Sequence, residues 1–136
     1  MRWLTLSTTL ILASIIALPS QAQTLRELRL QETLENIAEQ SSVGTPRPLN
    51  DDIVDEGFSA LDGQLINYLS VNETYAEQLQ SDPLVVRSQL QASVCSNQQF
   101  RQLMDMGATL TYHFVLTDTT RPVLTQSFVA EHCQSF

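Results

Sequence analysis

Two cysteines, Cys95 and Cys133, lie behind a stretch that reads as an export signal, and no other feature restricts the fold as much. Residues 1–22, MRWLTLSTTLILASIIALPSQA, carry a positive charge at Arg2, an apolar run from Leu10 to Leu18, a break at Pro19, and small residues at Ser20 and Ala22. That is the order of a secretory signal peptide, with cleavage expected between Ala22 and Gln23. The apolar run is too short and too interrupted by Thr and Ser to span a bilayer comfortably. The residue directly after the cleavage point is Gln23 and not a cysteine, which argues against a lipid anchor there. The mature protein is therefore expected outside the cytoplasm, secreted or periplasmic. In an oxidising compartment an even pair of cysteines reads as one disulfide. The loop they close holds about 38 residues, and its chain entropy stabilises the fold by about 4 kcal/mol. A redox or metal pair would want C-x-x-C spacing, which the sequence lacks.

Residues 23–136 are of a length for a single domain. They are acidic. The whole chain has 15 Asp and Glu against 7 basic residues, all Arg, for a formal net charge of −8, and removal of Arg2 makes it more acidic still. Neutralising phosphates takes clustered cations, so nucleic acid is not an expected partner, and neither is an anionic lipid surface. No later apolar stretch reaches spanning length, so stable membrane insertion is not expected.

Thr24 to Gln40 reads as an amphipathic helix. Leu25, Leu28, Leu30, Leu34, Ile37 and Ala38 recur at three- and four-residue steps, with Thr24 as N-cap and Glu27 as capping-box partner. Ser41 to Leu49, SSVGTPRPL, reads as a loop without regular structure, because of Gly44, Pro46 and Pro48. Asp62-Gly63 between two apolar runs marks a hairpin of strands Ile53–Leu61 and Gln64–Val71. Asn72 to Gln80 is a short helix capped by Asn72. Asp82 and Pro83 start another that runs to Cys95. Gln98 to Met106 continues as a helix, and Gly107 stands where a left-handed C′ residue belongs. Ala108 to Thr117 alternates: Leu110, Tyr112, Phe114 and Leu116 point one way, and Thr109, Thr111, His113, Val115 and Thr117 the other. Asp118-Thr119-Thr120 turns the chain. Val123 to His132 returns as the partner strand, with Pro122 outside the ladder. The sum is an α+β domain: N-terminal helix, hairpin, helical pair, hairpin, with an antiparallel sheet, helices on one face and one disulfide. That disulfide joins the end of a helix to the end of the last strand.

Chemistry is sparse in this pattern. His113 and His132 are the only histidines, and with Glu131 they fall short of a metal set, so they read as exposed strand residues. The acidic run Asp51, Asp52, Asp55, Glu56, Gly57 fails the EF-hand spacing, since position 3 from Asp52 is Val54 and position 12 is Gly63. It reads instead as a solvated strand edge whose charges discourage edge pairing. There is no G-x-S-x-G and no Gly-rich phosphate loop. No catalytic constellation and no cofactor pattern is recognised, and the expectation is a non-enzyme. Arg47, in the rigid Thr45-Pro46-Arg47-Pro48, is either a partner contact or a surface charge paired with Asp51 or Asp52.

The assembled segments resemble a known family. They are Ser41-Ser42-Val43-Gly44-Thr45-Pro46-Arg47, Asn67-Tyr68-Leu69-Ser70-Val71, Val86-Arg87-Ser88-Gln89-Leu90 and Ser93-Val94-Cys95-Ser96-Asn97. Gly107 through Phe114, Arg121-Pro122-Val123 and Cys133 complete the set. Together they resemble the small secreted quorum-sensing-regulated virulence factors of Pseudomonas and related gammaproteobacteria. The resemblance covers nearly all of the mature chain. From Cys95 to Cys133 the chain is also similar to a wider group of exported bacterial proteins, with a Cys, a short helix, Gly, a hairpin and a final Cys. The resemblance implies a small exported α+β protein. It describes regulation and host effect rather than a reaction, and it carries no catalytic residues over. The expected function is binding to an unknown protein partner, of host or envelope, with Arg47, Thr109, Thr111 and His113 as contacts. The alternative is a periplasmic envelope helper or inhibitor without a virulence role, whose exposed strand could add to a partner's sheet.

Overall fold

The computed structural model describes residues 24–136; the expected leader and its cleavage point lie outside them. Helix α1 (Leu25–Ser41) starts at Thr24, whose Oγ1 accepts from the Glu27 N–H at 3.2 Å. Strands β2 (Ile53–Leu61) and β3 (Gln64–Val71) form the expected hairpin. Asp62 and Gly63 turn it with φ of 49° and 76°, both positive as a two-residue type I′ turn requires. Helices α2 (Glu73–Ser81), α3 (Pro83–Ser96) and α4 (Gln98–Asp105) follow, and the side chains of Asn72, Asp82 and Asn97 cap their starts. Strands β4 (Thr109–Leu116) and β5 (Pro122–Phe128) close the fold, followed by a 3-10 helix, Ala130–Cys133.

Several expectations need correction. The Ser41–Leu49 loop contains a two-residue strand, β1 (Arg47–Pro48), paired with Asp55 and Val54 of β2. Pro48 is tolerated because β1 is the sheet edge. The sheet runs β1-β2-β3-β4-β5, and its central pair β3–β4 is parallel, so the sheet is mostly rather than wholly antiparallel. The three helices between β3 and β4 form a crossover long enough for parallel pairing. The last strand ends at Phe128, not at His132, and Pro122 lies inside the ladder opposite Val115, at a bulge. His132 therefore sits half-buried in the 3-10 helix and does not pair across strands with His113. Cys95 and Cys133 are joined, with S–S 1.97 Å and Cα atoms 5.3 Å apart, so the staple ties α3 to that 3-10 helix.

The helices share one face of the sheet. Leu65, Leu110 and Phe128 pack under Leu30, Leu34, Val94, Leu103 and Met104. Leu69, Val71 and Phe114 pack under Ala76 and Leu79. Helix α1 lies over β2 and β3, α4 lies over β4, and α2 and α3 lie against β5. Side chains cap both sheet edges at single points. The Ser42 hydroxyl accepts from the Phe58 N–H at 2.8 Å and lies 3.2 Å from the Phe58 carbonyl on β2. On β5, the Val123 and Ser127 carbonyls accept from Gln80 Nε2 and Arg87 Nη2, each at 3.3 Å. Such caps oppose strand addition.

Candidate functional site

The two apolar clusters meet at a seam. Asn67 of β3 and Tyr112 of β4 are direct register partners there, and both face the helices. On one side of this pair lies a cavity of about 90 Å³ lined by Phe58, Leu65, Phe100 and Leu110. On the other lies one of about 260 Å³ bounded by Leu49, Ile53, Tyr75, Val86, Leu90 and Phe114, with Gln89 and Ser93 on its rim. Asn67 and Tyr112 line both cavities, so the two form one groove along β3 and β4. Its floor runs from Leu65 to Leu69, about 13 Å at the rise of a strand. No side chain lining it carries a charge, in a chain with 22 charged residues by count of Lys+Arg 7 and Asp+Glu 15.

A bulge in β2 between Asp55 and Gly57 builds the polar part of the seam. Gly57 has φ +110°, and a Cβ there would lie 3.1 Å from Thr45 Oγ1 and 3.2 Å from Ser42 Oγ. Asp55 Oδ1 accepts from the Gly57 N–H and from Asn67 Nδ2, both at 3.0 Å. Asn67 Nδ2 also donates to the Gly57 carbonyl at 3.2 Å. Asp55 is thus a buried residue, 5% exposed, and not part of a solvated edge. Its partner is Arg47, at 3.5 Å, which corrects the expected pairing with Asp51 or Asp52. The guanidinium is more than half exposed, so this pair contributes about 0–1 kcal/mol. Its structural effect is to fix the loop that carries Leu49 to the groove rim.

Tyr112 stands apart among the titratable groups. Burial pushes its phenol up from the usual 10.0. Its ring meets Phe128 edge-on at 6.4 Å, and among the described residues its hydroxyl has no hydrogen-bond partner. Perturbed groups in apolar concave sites mark binding sites more often than chance.

The contact residues expected from the sequence lie elsewhere, except that Thr111 also lines the smaller cavity. Thr109, Thr111 and His113 face the opposite, helix-free side of the sheet. Thr111 Oγ1 donates to Gln64 Oε1 and is bonded to Ser127 Oγ, each at 2.9 Å, and Thr111 is buried. His113 Nδ1 is bonded to Thr125 Oγ1 at 2.8 Å, and its ring meets Tyr68 edge-on at 5.8 Å. Arg47 is brought to the groove side by its loop, away from this triplet. His132 Nδ1 accepts from the Val129 N–H at 2.9 Å. Among the described residues no group of three or more His, Cys, Asp or Glu stands together. None of their helices is long and apolar enough to cross a membrane. The sequence signal for the groove was the inward stripe holding Tyr112; Asn67 gave none.

These features define a class: small disulfide-stapled α+β domains with a one-sided helical layer over a mixed sheet. Within it, residues 23–134 match the family described as "Putative quorum-sensing-regulated virulence factor", and the chain belongs to that family. The crystal structure of a "putative secreted protein" from Pseudomonas aeruginosa is 48% identical, with a TM-score of 0.80, covering 83% of this chain and all 100% of that one. The pilotin of the Vibrio vulnificus type 2 secretion system shares the fold at 17% identity and a TM-score of 0.67, covering 82% of this chain and 97% of that one. The type II secretion system pilotin of Vibrio cholerae does so at 19% identity and a TM-score of 0.63, covering 79% and 95%. No functionally curated protein matches the chain.

Proposed function

We propose that the protein is exported, with cleavage between Ala22 and Gln23, and acts without catalysis by holding another protein of the cell envelope. The observation that carries this reading is the pair of small uncharged cavities that the helical layer leaves on either side of Asn67 and Tyr112. Half-buried aromatic side chains with a few convergent polar groups are the composition of a binding site. The family and its secreted Pseudomonas relative support export. The fold shared with two pilotins supports an envelope helper over an effector released to a host. The capped edges disfavour recognition by strand addition and leave the groove as the surface of choice.

Fractionation combined with cross-linking tests the proposal. Culture fluid, periplasm and membranes are blotted with an antibody to the mature chain, and the exported fractions are cross-linked. An envelope protein is expected to cross-link to the wild type and to a Thr109→Ala/His113→Ala variant, but not to Ser93→Arg, which puts a charge on the groove rim. Retention in the cytoplasm would sink the proposal. Loss of the cross-link in the Thr109/His113 variant, with Ser93→Arg unaffected, would move the site to the open face. Arg47→Ala is expected to weaken the cross-link by loosening the loop that carries Leu49.

A further inference from the structure

We infer that the larger cavity beside Tyr112 is a ligand site for a small neutral molecule of about ten non-hydrogen atoms, apolar except for one oxygen. The inference goes beyond the protein-partner reading above: the cavity takes this ligand whether or not a partner covers its mouth. Three observations carry it. First, the cavity is built by segments far apart in the chain. Leu69 and Phe114 of the sheet, Leu79 of α2 and Leu90 of α3 wall it, and Leu49 reaches it from the loop between β1 and β2. Leu69 is 5% exposed and Leu79 and Phe114 4% each, so the core holds the inner wall in place. Leu49 at 53% and the exposed Gln89 and Ser93 stand at the mouth. The site is therefore preformed and reachable from solvent. Second, its size sets the size of the ligand. Protein interiors leave few voids larger than a water molecule. An apolar cavity of about 150 Å³ already takes up benzene. At about 260 Å³ this one has room for a molecule between one and two such rings, and a helix or a long acyl chain does not fit. Third, its chemistry sets the polarity of the ligand. No lining side chain is charged, and a charge carried in without a partner is costly, so the ligand is neutral. The Asn67 amide is committed to Asp55 and Gly57. That leaves the Tyr112 hydroxyl, on the same wall, to donate to one oxygen of the ligand.

The test uses the mature chain and the straight-chain alcohols n-butanol, n-octanol and n-dodecanol, with octanoate and n-octylammonium as charged counterparts of the middle one. Binding is measured by calorimetry at neutral pH and mapped by amide and methyl shifts. Affinity is expected to rise about fourfold per methylene from n-butanol to n-octanol, as each added group is buried. It should reach a dissociation constant of about 100 µM at n-octanol and level off by n-dodecanol, once the cavity is full. Octanoate and n-octylammonium should each bind at least about tenfold more weakly. The shifts should centre on Leu69, Leu79, Tyr112 and Phe114. Val86→Phe fills the cavity and should abolish n-octanol binding. Tyr112→Phe keeps the ring in place and should weaken it about threefold to tenfold. Affinity that climbs on to n-dodecanol would overturn the inference by showing an open apolar surface. Equal binding of the charged probes would overturn it, and so would an unchanged affinity in both variants. Shifts confined to Tyr68 and His113, or no n-octanol binding up to its solubility limit, would overturn it as well. Binding of n-octanol without any cross-linked partner would leave this inference standing and sink the partner reading. A cross-linked partner without n-octanol binding would do the reverse.

Discussion

Thr111, Tyr112 and His113 are consecutive residues of β4 that face opposite sides of the sheet, and the two sides treat their polar atoms differently. On the open side, Thr111 is bonded to Gln64 and Ser127, His113 to Thr125, and the Tyr68 hydroxyl to Ser59. On the helical side, the Tyr112 hydroxyl stands in an apolar groove without a partner among the described residues. The open face is richer in polar side chains, which made it the natural place to look for contacts. Its groups are already committed to one another, as buried and half-buried polar groups ordinarily are. The groove is poorer in them: the Asn67 amide is committed to Asp55 and Gly57, and the Tyr112 hydroxyl is left to solvent. A site is better recognised by unmet bonding capacity than by polarity.

The largest expected effect tests whether the helical face owes its stability to its stapled end rather than to the groove. Replacing Cys95 and Cys133 with Ser should lower stability by about 4 kcal/mol, seen as a lower denaturant midpoint. A loss under 1 kcal/mol would mean that packing alone fixes the 3-10 helix to α3. Next, Phe100→Ala strips a half-buried aromatic from the groove wall and should cost about 1–2 kcal/mol in thermal melts, below the toll of a fully buried phenylalanine. A larger loss would make the groove part of the core. Thr111→Val should cost about 0.5–1.5 kcal/mol by unlinking Gln64 from Ser127, whereas Tyr112→Phe should cost under about 0.5 kcal/mol at neutral pH. Reversal of that order would erase the contrast between the faces.

The smallest effect is a pH dependence. Burial raises the Tyr112 phenol in the folded chain, so the folded state holds that proton more tightly than the unfolded state. The associated stability is fully present below the ordinary tyrosine value of about 10 and is lost as pH rises through the higher folded value. Melting temperatures of the wild type should therefore fall more steeply above pH 10 than those of Tyr112→Phe. Parallel profiles would show that the hydroxyl is not desolvated.

Local chemistry was legible in the sequence and assembly was not. The Asp62-Gly63 turn, the caps at Thr24, Asn72 and Asp82, and Gly107 at φ +106° each depend on one or two side chains or on a missing one. The cysteine pairing followed from compartment and count. The parallel pairing of β3 with β4 did not, because alternation in a strand says which face is inward but not which strand is beside it. Pro122 and Pro48 misled for one reason: a proline forbids a donor, not a ladder position whose donor points outward. Asp55 looked like one more surface acid in an acidic run. The bulge at Gly57, set by the approach of Ser42 and Thr45 from a distant loop, turns it inward to Asn67. The groove itself is a gap between helices, and nothing along one helix records the distance to the next.

The edge caps have a consequence for how this fold can change. A single hydroxyl at Ser42 stands in for a neighbouring strand against Phe58, and one amide and one guanidinium do the same along β5. The width of the sheet is thus held by side chains, which mutation alters in one step, and not by strand length, which it alters slowly. Losing the Ser42 hydroxyl would bare one donor and one acceptor on a backbone already extended for pairing. Two copies of the chain could then meet across a two-fold axis and make a continuous sheet of twice the size.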